Sequence, residues 1–167
     1  MKISKKIIII VVMFLFLGVI ILLSYNQSNK IKTIGKEIEL DLSECKIVNE
    51  SDSHEGLLGD GDYFAKIKCD EYDSDVLREK WQELPISEGI QTALDMEQCD
   101  GKGCKNVFDK YSIPDIEYGF YYFKDRTPEE TDDRKDDTDL NNRSSYNFTV
   151  ALFDVYKSTI YYYELDT

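Results

Sequence analysis

The chain is 167 residues long, enough for one domain, and it carries a net charge of −13. Residues 1–23 contain three lysines and no carboxylate, so all 33 aspartates and glutamates follow them, against 17 lysines and arginines. This balance argues against a nucleic-acid-binding protein, because neutralising phosphates requires clustered Lys and Arg and the basic residues here form no such stripe.

The N-terminal segment predicts a membrane anchor. A short basic tail, residues 1–6, precedes residues 7–23, which are all apolar apart from Gly18. At the rise of an α-helix this run spans roughly 25 Å, the lower limit for crossing a bilayer core and longer than the apolar part of a typical signal peptide. No pair of small residues at the A-x-A spacing follows it. An uncleaved transmembrane signal anchor is therefore favoured over secretion after signal cleavage.

The orientation of this anchor is predicted from its flanks. Three lysines lie on each side of the apolar run within counting range, so the charge count alone does not decide. The N-terminal lysines lie directly against the run, and four cysteines follow it, which favours a cytoplasmic tail over 1–6 and the rest of the chain outside the cytoplasm. Residues 24–36 are polar with a single glycine, and they predict a tether to an extracytoplasmic domain over 37–167.

Strand and helix patterns follow in turn. Residues 37–42 alternate acidic and aliphatic side chains, as in a strand with one wet and one buried face, and 45–50 and 62–69 are two further strand candidates. Apolar residues then recur at helical spacing up to Pro85, after Asp73 or Ser74 as an N-cap. A second short helix is predicted over residues 87–96.

The last third of the chain is rich in tyrosine and predicts three strands, over residues 116–124, 146–156 and 160–165. Both faces of the first carry aromatic residues, which is typical of strands in the middle of a sheet. Between the first two strands, residues 125–143 hold eight acids and four bases and predict a mobile acidic loop. The fold class is therefore α+β: a single transmembrane helix, then an antiparallel sheet of about six strands with one or two helices on one face.

Four cysteines in a domain outside the cytoplasm predict disulfides. Cys99 and Cys104 flank a glycine-containing loop, and a hairpin of 45–50 with 62–69 places Cys45 opposite Cys69. Four cysteines allow three connectivities, and buried free thiols at Cys45 and Cys69 are the alternative. Zinc is disfavoured because the C-x4-C spacing is unusual and the chain has one histidine, so no metal site and no cofactor are predicted.

The candidate functional loop contains His54, Asp60 and Asp62. One imidazole near several carboxylates could act as a hydrolytic base, or the carboxylates could bind calcium. The run does not match the EF-hand pattern, and the chain has no nucleophile elbow or phosphate-binding loop. A turn, in which glycines supply positive φ and the aspartates cap backbone amides, is favoured over a functional loop.

Three stretches carry a family resemblance: HEGLLGDG at 54–61 followed by an aromatic strand, NFTVALFD at 147–154, and IYYYELDT at 160–167. Together they resemble uncharacterised small membrane-anchored extracytoplasmic proteins of Gram-positive bacteria. The resemblance covers most of residues 37–167. It implies a bacterial cell-surface setting and no particular activity, so no functional residue follows from it.

The function predicted from these features is binding. An anchored acidic domain suits a membrane-tethered module of the bacterial envelope that binds a protein or envelope component, for instance an immunity-like or accessory protein, and no nucleic acid. The alternative is a small hydrolase or calcium-dependent protein that uses the His54, Asp60 and Asp62 loop. A third possibility is a purely structural envelope protein.

Overall fold

The chain divides into two compact units, Met1–Lys46 and Ile47–Thr167. The computed structural model describes residues 5–54, 59–70, 72–100, 103–127, 137, 140 and 145–167.

The first unit is built on one long helix, α1, Lys5–Glu37, of 33 residues. Within it, Val12–Glu37 is long and apolar enough to cross a membrane by length and composition, and its most apolar window has no buried residue. This agrees with the predicted apolar membrane helix at the N-terminus. Residues 24–36, predicted as a tether, instead continue the same helix.

The strand predicted over residues 37–42 is wrong. α1 ends at Glu37, Leu40 N–H donates to the carbonyl of Gly35 at 2.8 Å, and Glu39 takes a left-handed φ of 62°. A 6→1 hydrogen bond across a left-handed residue closes the helix as a Schellman motif. Ile38 is buried together with Ile34, four residues earlier. The side chain of Ile38 therefore continues the buried face of the helix. It also falls on the alternating acidic and aliphatic pattern of residues 37–42, which is why that pattern resembles a strand.

The chain from Cys45 onward contains the sheet and three short helices. The strands among the described residues are β1 Cys45–Asp52, β2 Gly61–Cys69, β3 Gln82–Glu83, β4 Gln98–Asp100, β5 Gly103–Lys105, β6 Gly119–Asp125, β7 Asn147–Asp154 and β8 Thr159–Asp166. The helices are α2 Ser74–Lys80, α3 Glu88–Asp95 and α4 Val107–Tyr111. Each helix begins at a side chain that accepts a hydrogen bond from a backbone amide, as N-caps do: Asp73, Ser87 and Asn106.

Six of the strands form one sheet in the order β1-β2-β8-β7-β6-β3, and β4 pairs with β5 separately. The fold is thus the predicted α+β class, an apolar N-terminal helix followed by a six-stranded antiparallel sheet with a few helices. The five predicted strands after residue 44 and both predicted helices are present, with shifted ends. β3, β4, β5 and α4 were not predicted, because segments of two to five residues are too short to show a period.

The central strands present matched rows of side chains on the two faces of the sheet. One row, on the first face, is Phe64, Tyr163, Val150 and Phe123; the next row, on the opposite face, is Ala65, Tyr162, Ala151 and Tyr122. All eight residues are buried. In the second row the alanines leave room for the tyrosine rings beside them, which explains why tyrosine-rich strands lie in the middle of the sheet.

α3 and α4 pack on the first face, the one with Phe64, and add four buried side chains to its core, Ile90, Ala93, Leu94 and Val107. The sequence predicts both of its helices, now α2 and α3, on one face of the sheet, and α3 lies on this face. α2 is placed differently, because Trp81 at its C-terminal cap contacts Tyr122 on the opposite face, with ring centroids 5.8 Å apart.

The structure contains two disulfides, as predicted for an extracytoplasmic domain. Cys99 and Cys104, which are directly paired between β4 and β5, form one of them. Cys45 and Cys69 are also disulfide-bonded, so none of the four cysteines is a free thiol. The predicted mobile acidic loop, 125–143, lies outside the described residues except at 125–127, 137 and 140.

Candidate functional site

The loop singled out by the sequence connects β1 to β2. Gly61, the first residue of β2, is paired with Asp166 near the end of β8, so the loop lies beside the C-terminal end of a central strand. Residues 55–58 of this loop lie outside the described residues. His54 and Asp62 are both held by polar partners, but by different ones, and Asp60 is exposed.

His54 bridges two carboxylates. Its Nδ1 lies 2.7 Å from Oδ1 of Asp52 on β1, and its Nε2 lies 3.1 Å from Oδ2 of Asp166 on β8. Partial burial lowers the pKa of His54, but the hydrogen bonds and negative charges of the two carboxylates outweigh it, so the pKa is raised above its ordinary value. The structure therefore favours a charged imidazolium at this position.

Asp62 is the most buried of the three predicted residues, with 2% of its surface exposed. Its Oδ2 accepts hydrogen bonds from Lys110 Nζ and from the Tyr111 hydroxyl, each at 2.6 Å, and its Oδ1 accepts one from the Ser53 hydroxyl. Burial raises the pKa of the Asp62 carboxyl, but these three donors outweigh burial and lower it. Asp62 is thus a buried, ionised carboxylate with both oxygens occupied.

Two of the three partners of Asp62, Lys110 and Tyr111, come from α4, a helix of five residues. The Tyr111 ring stacks on Phe64 of β2, with centroids 4.3 Å apart and planes 9° apart, and this contact fixes its hydroxyl toward Asp62. Lys110 also donates to Gln98 Oε1 at 3.0 Å. Burial and the Asp62 charge both raise the pKa of Tyr111, so its phenol stays a donor.

Asp166 joins His54 to a second cation. Its Oδ1 lies 3.0 Å from Arg126 Nη2, while its Oδ2 faces His54. The same Arg126 nitrogen lies 3.2 Å from the carbonyl oxygens of Phe148 and Leu165, to which it donates, and therefore ties together the ends of β7 and β8. This end of the sheet therefore carries two neighbouring polar clusters, one around Asp166 and one around Asp62.

A groove of about 730 Å³ opens beside these clusters. Its lining includes apolar side chains from α3 and β8, among them Ala93, Met96 and Leu165. Four carboxylates and two ammonium groups also line it: Asp60, Asp62, Glu97 and Asp166, with Lys105 and Lys110. A concave surface with an apolar part and a few placed polar groups is typical of a ligand site.

These clusters limit what the predicted loop can do chemically. Both ring nitrogens of His54 face carboxylates, so neither is presented to a substrate as a free base. The oxygens of Asp62 face Lys110, Tyr111 and Ser53, where a calcium ion would have to displace an ammonium group. Among the residues that the structure describes, no group of three or more His, Cys, Asp or Glu side chains is placed to hold a metal ion.

The sequence did not indicate the partners of these residues. Lys110, Tyr111 and Asp166 lie 48 to 112 residues from the loop residues they contact. Comparison with protein families, with curated proteins and with solved structures finds no match for this chain. The geometry of this site is therefore the basis for inferring a function.

Proposed function

We propose that the protein is a membrane-tethered extracytoplasmic domain of the bacterial envelope whose groove binds a basic, partly apolar segment of a partner protein. The groove beside the Asp62 network carries this proposal. The candidate membrane helix and the two disulfides are compatible with such a setting.

The chemistry of the groove favours this class of ligand. Lys110 is neutralised by Asp62 at 2.6 Å, and Asp166 by Arg126 and His54. Asp60 and Glu97 remain as exposed carboxylates on the lining, against Lys105. Around them, 33 acidic residues outnumber the basic ones, so the field of the whole domain attracts a cationic partner. The apolar part of the groove would accept an aliphatic side chain between the basic ones.

The hydrolase or calcium-dependent alternative is less well supported. It requires His54, Asp60 and Asp62 to act together on one substrate or ion. His54 and Asp62 instead serve separate sets of hydrogen bonds.

Binding of a designed peptide to the full-length protein in nanodiscs of zwitterionic lipid tests the proposal. The probe is a fluorescent decapeptide of alternating Lys and Leu, and the matching Glu–Leu peptide is the reference. Fluorescence anisotropy should show saturable binding of the Lys–Leu peptide that weakens with salt, because its charged part is screened.

A pair of double charge reversals separates the groove from the general field of the protein. Asp60→Lys with Glu97→Lys reverses two exposed carboxylates of the groove, whereas Asp115→Lys with Glu117→Lys makes the same change just before β6, at the other end of the sheet. The first pair should weaken binding at least ~10-fold and the second only ~2-fold. Equal losses, or no binding by the unmodified protein, would refute the groove as the site.

The membrane setting has its own test. In intact cells that express the full chain, an impermeant amine-reactive reagent should label the sheet domain, and alkaline washing should leave the protein in the membrane. The mass of the purified protein without reductant should lie about 4 Da below the reduced mass, because each disulfide removes two hydrogens. Labelling only after the cells are lysed would place the domain in the cytoplasm.

A further inference from the structure

The imidazole of His54 links two strands that are not otherwise neighbours. Its partners are Asp52 at the end of β1 and Asp166 near the end of β8, and in the sheet β2 lies between these strands. It is the single histidine of the chain. Any histidine titration measured in this protein therefore belongs to His54.

The bridge depends on protonation because of the donors that imidazole has. A neutral ring carries one N–H and one lone pair, so it can donate to one of the two carboxylates and must turn its lone pair toward the other. Only the imidazolium donates from both nitrogens. Loss of the proton therefore removes one hydrogen bond and leaves a lone pair facing a carboxylate oxygen.

Arg126, which also pairs with Asp166, does not bind the carboxylate oxygen that faces His54. Arg126 pairs with Asp166 through Oδ1 and leaves Oδ2 to the ring. On the other side, Ser53 and Lys110 are bonded to Asp62, in a chain that continues into α4. When the ring is neutral, one of the two carboxylates loses the ring N–H that it accepted, while the backbone N–H of His54 still donates to Asp52 Oδ1 at 3.1 Å and Arg126 still pairs with Asp166.

We propose that His54 is a proton-operated latch, which as an imidazolium holds the end of β1 against the end of β8 beside the groove and as a neutral ring releases it. Ser53 and Asp166 both line the groove, so the latch acts on two of its walls. The part of this inference that concerns ligand binding in the groove rests on the proposed function. The part that concerns the protonation-dependent contact between β1 and β8 does not.

The direction of the pH effect follows from the raised pKa of His54. A group whose pKa is higher in the folded state contributes stability that is fully present below the unfolded value, about 6.5, and that is lost as the pH rises through the folded value. Loss of the proton also leaves the rim of the groove more negative. As the pH rises above the pKa of His54 in the folded state, the latch should therefore open. A cationic peptide should then bind more tightly.

The latch is measured directly with the full-length protein in detergent micelles, labelled with ¹³C at the histidine ring. The single histidine gives one ring resonance, whose titration should show a pKa above 6.5. Asp166→Asn and Asp52→Asn should each lower this pKa, because each removes one facing carboxylate while burial remains. Asp75→Asn is the matched control, since Asp75 pairs with Arg78 on α2, and it should leave the titration unchanged.

Amide hydrogen exchange shows whether this titration moves the backbone. Ser53 N–H donates to the carbonyl of Asp62 at 2.8 Å, and its protection should fall as His54 deprotonates. In His54→Gln, which fills similar space and does not titrate, protection of Ser53 should show no pH step. A His54 pKa at or below 6.5 that Asp166→Asn leaves unchanged would overturn the latch. So would a pH step in the protection of Ser53 that is also present in His54→Gln.

The Lys–Leu decapeptide separates the latch from the proposed function. If the groove binds it, affinity should rise several-fold between about pH 5.5 and 8.5 in the unmodified protein and stay flat in His54→Gln. A titrating latch with flat affinity in both proteins refutes the coupling to the groove. If the peptide fails to bind at every pH, the proposed function is refuted, and the resonance and exchange measurements still decide the latch.

Discussion

Asp62 shows how a charge is kept inside this domain. The sequence predicts it as a turn residue that caps backbone amides. In the structure it instead accepts hydrogen bonds from the side chains of Ser53, Lys110 and Tyr111, with 2% of its surface exposed. Burying an unpaired carboxylate costs several kcal/mol, so these donors are a condition for the fold at this point. The network is thus first of all a structural support beneath the groove.

Replacing Lys110 with methionine tests this role. The substitution keeps the length of the side chain and removes the ammonium, which leaves the Asp62 charge buried with two neutral donors. We expect the free energy of unfolding of the full-length protein to fall by about 2–4 kcal/mol at pH 7, discounted because Lys110 is itself partly exposed. Chemical denaturation in micelles measures it.

The control is Lys105→Met, on the same groove but exposed, which should change stability by less than ~0.5 kcal/mol. Acid gives a second check. The lowered pKa of Asp62 contributes stability that is present above its unfolded pKa of about 3.9 and that is lost as the pH falls through the lower folded value. The deficit of Lys110→Met should therefore shrink on acidification, and a deficit independent of pH would mean that packing, not charge, was lost.

At the scale of elements, the end of α1 depends on the absence of a side chain at Gly35. A Cβ there would lie 2.6 Å from the carbonyl oxygen of Leu40, which turns back over the helix end. Alanine usually stabilises a helix relative to glycine by about 1 kcal/mol. At this position we expect the opposite, a loss of about 1–3 kcal/mol, because the backbone of the Schellman turn has to move.

Gly18 provides a matched control in the same helix. A Cβ at Gly18 would meet nothing within 4 Å, so Gly18→Ala should leave thermal stability unchanged or slightly raised. Thermal unfolding of both variants, followed by circular dichroism in micelles, gives the comparison. Equal behaviour of the two would contradict the described turn at Glu39 and Leu40.

The β4–β5 hairpin is held by a disulfide that closes a short loop. Cys99 and Cys104 are five positions apart, so the loop-closure entropy that the bond removes from the unfolded chain corresponds to only about 2 kcal/mol. Replacing both with serine should lower the stability by about that amount and leave the six-stranded sheet intact. The groove should be affected more, because Gln98 and Lys105 at the ends of this hairpin line it.

Peptide binding and denaturation distinguish these two effects. At a temperature at which the double serine variant remains folded, its loss of stability alone should not change its affinity. It should nevertheless bind the Lys–Leu decapeptide less tightly than the unmodified protein. Asp75→Asn, far from the hairpin on α2, serves as the unaffected reference. Unchanged affinity in the double serine variant would show that the hairpin does not shape the groove.

The elements that the sequence predicted well are those with a long, regular period. The tyrosine-rich strands and the apolar part of α1 each repeat their pattern over at least seven residues, and all are present. The strand predicted over residues 37–42 was wrong because Ile38 fits both a helical and an alternating pattern. The left-handed backbone of Glu39, which ends the helix, excludes the strand. A single backbone torsion of this kind leaves no trace in composition or period.

At the scale of the whole molecule, the site could be predicted only in part. The sequence indicates His54 and Asp62 because they lie in a distinctive stretch of glycines and acidic residues. Their partners Asp166 and Lys110 come from the last strand and from a one-turn helix, and only the order of strands in the sheet brings them close. That order results from long-range packing, which one sequence does not encode in any local signal.

The net charge of −13 also has a consequence for the whole molecule. With 33 acids against 20 bases, repulsion between like charges opposes folding, and salt screens exposed charges more than the buried pair of Asp62 and Lys110. We expect the thermal stability of the full-length protein to rise between about 20 and 300 mM NaCl, where the Debye length falls from roughly 20 to 6 Å. Differential scanning calorimetry in an uncharged detergent measures this dependence.

The double reversal at Asp115 and Glu117 provides the comparison, because it moves the net charge toward zero by about four units without touching the groove. If repulsion sets the salt dependence, this variant should be more stable than the unmodified protein in low salt and should gain less from added NaCl. A stability that falls with salt would show the reverse, namely that attractive pairs such as Asp166 with Arg126 and His54 outweigh the excess of acid. The excess of acidic residues would then not lower the stability of the fold.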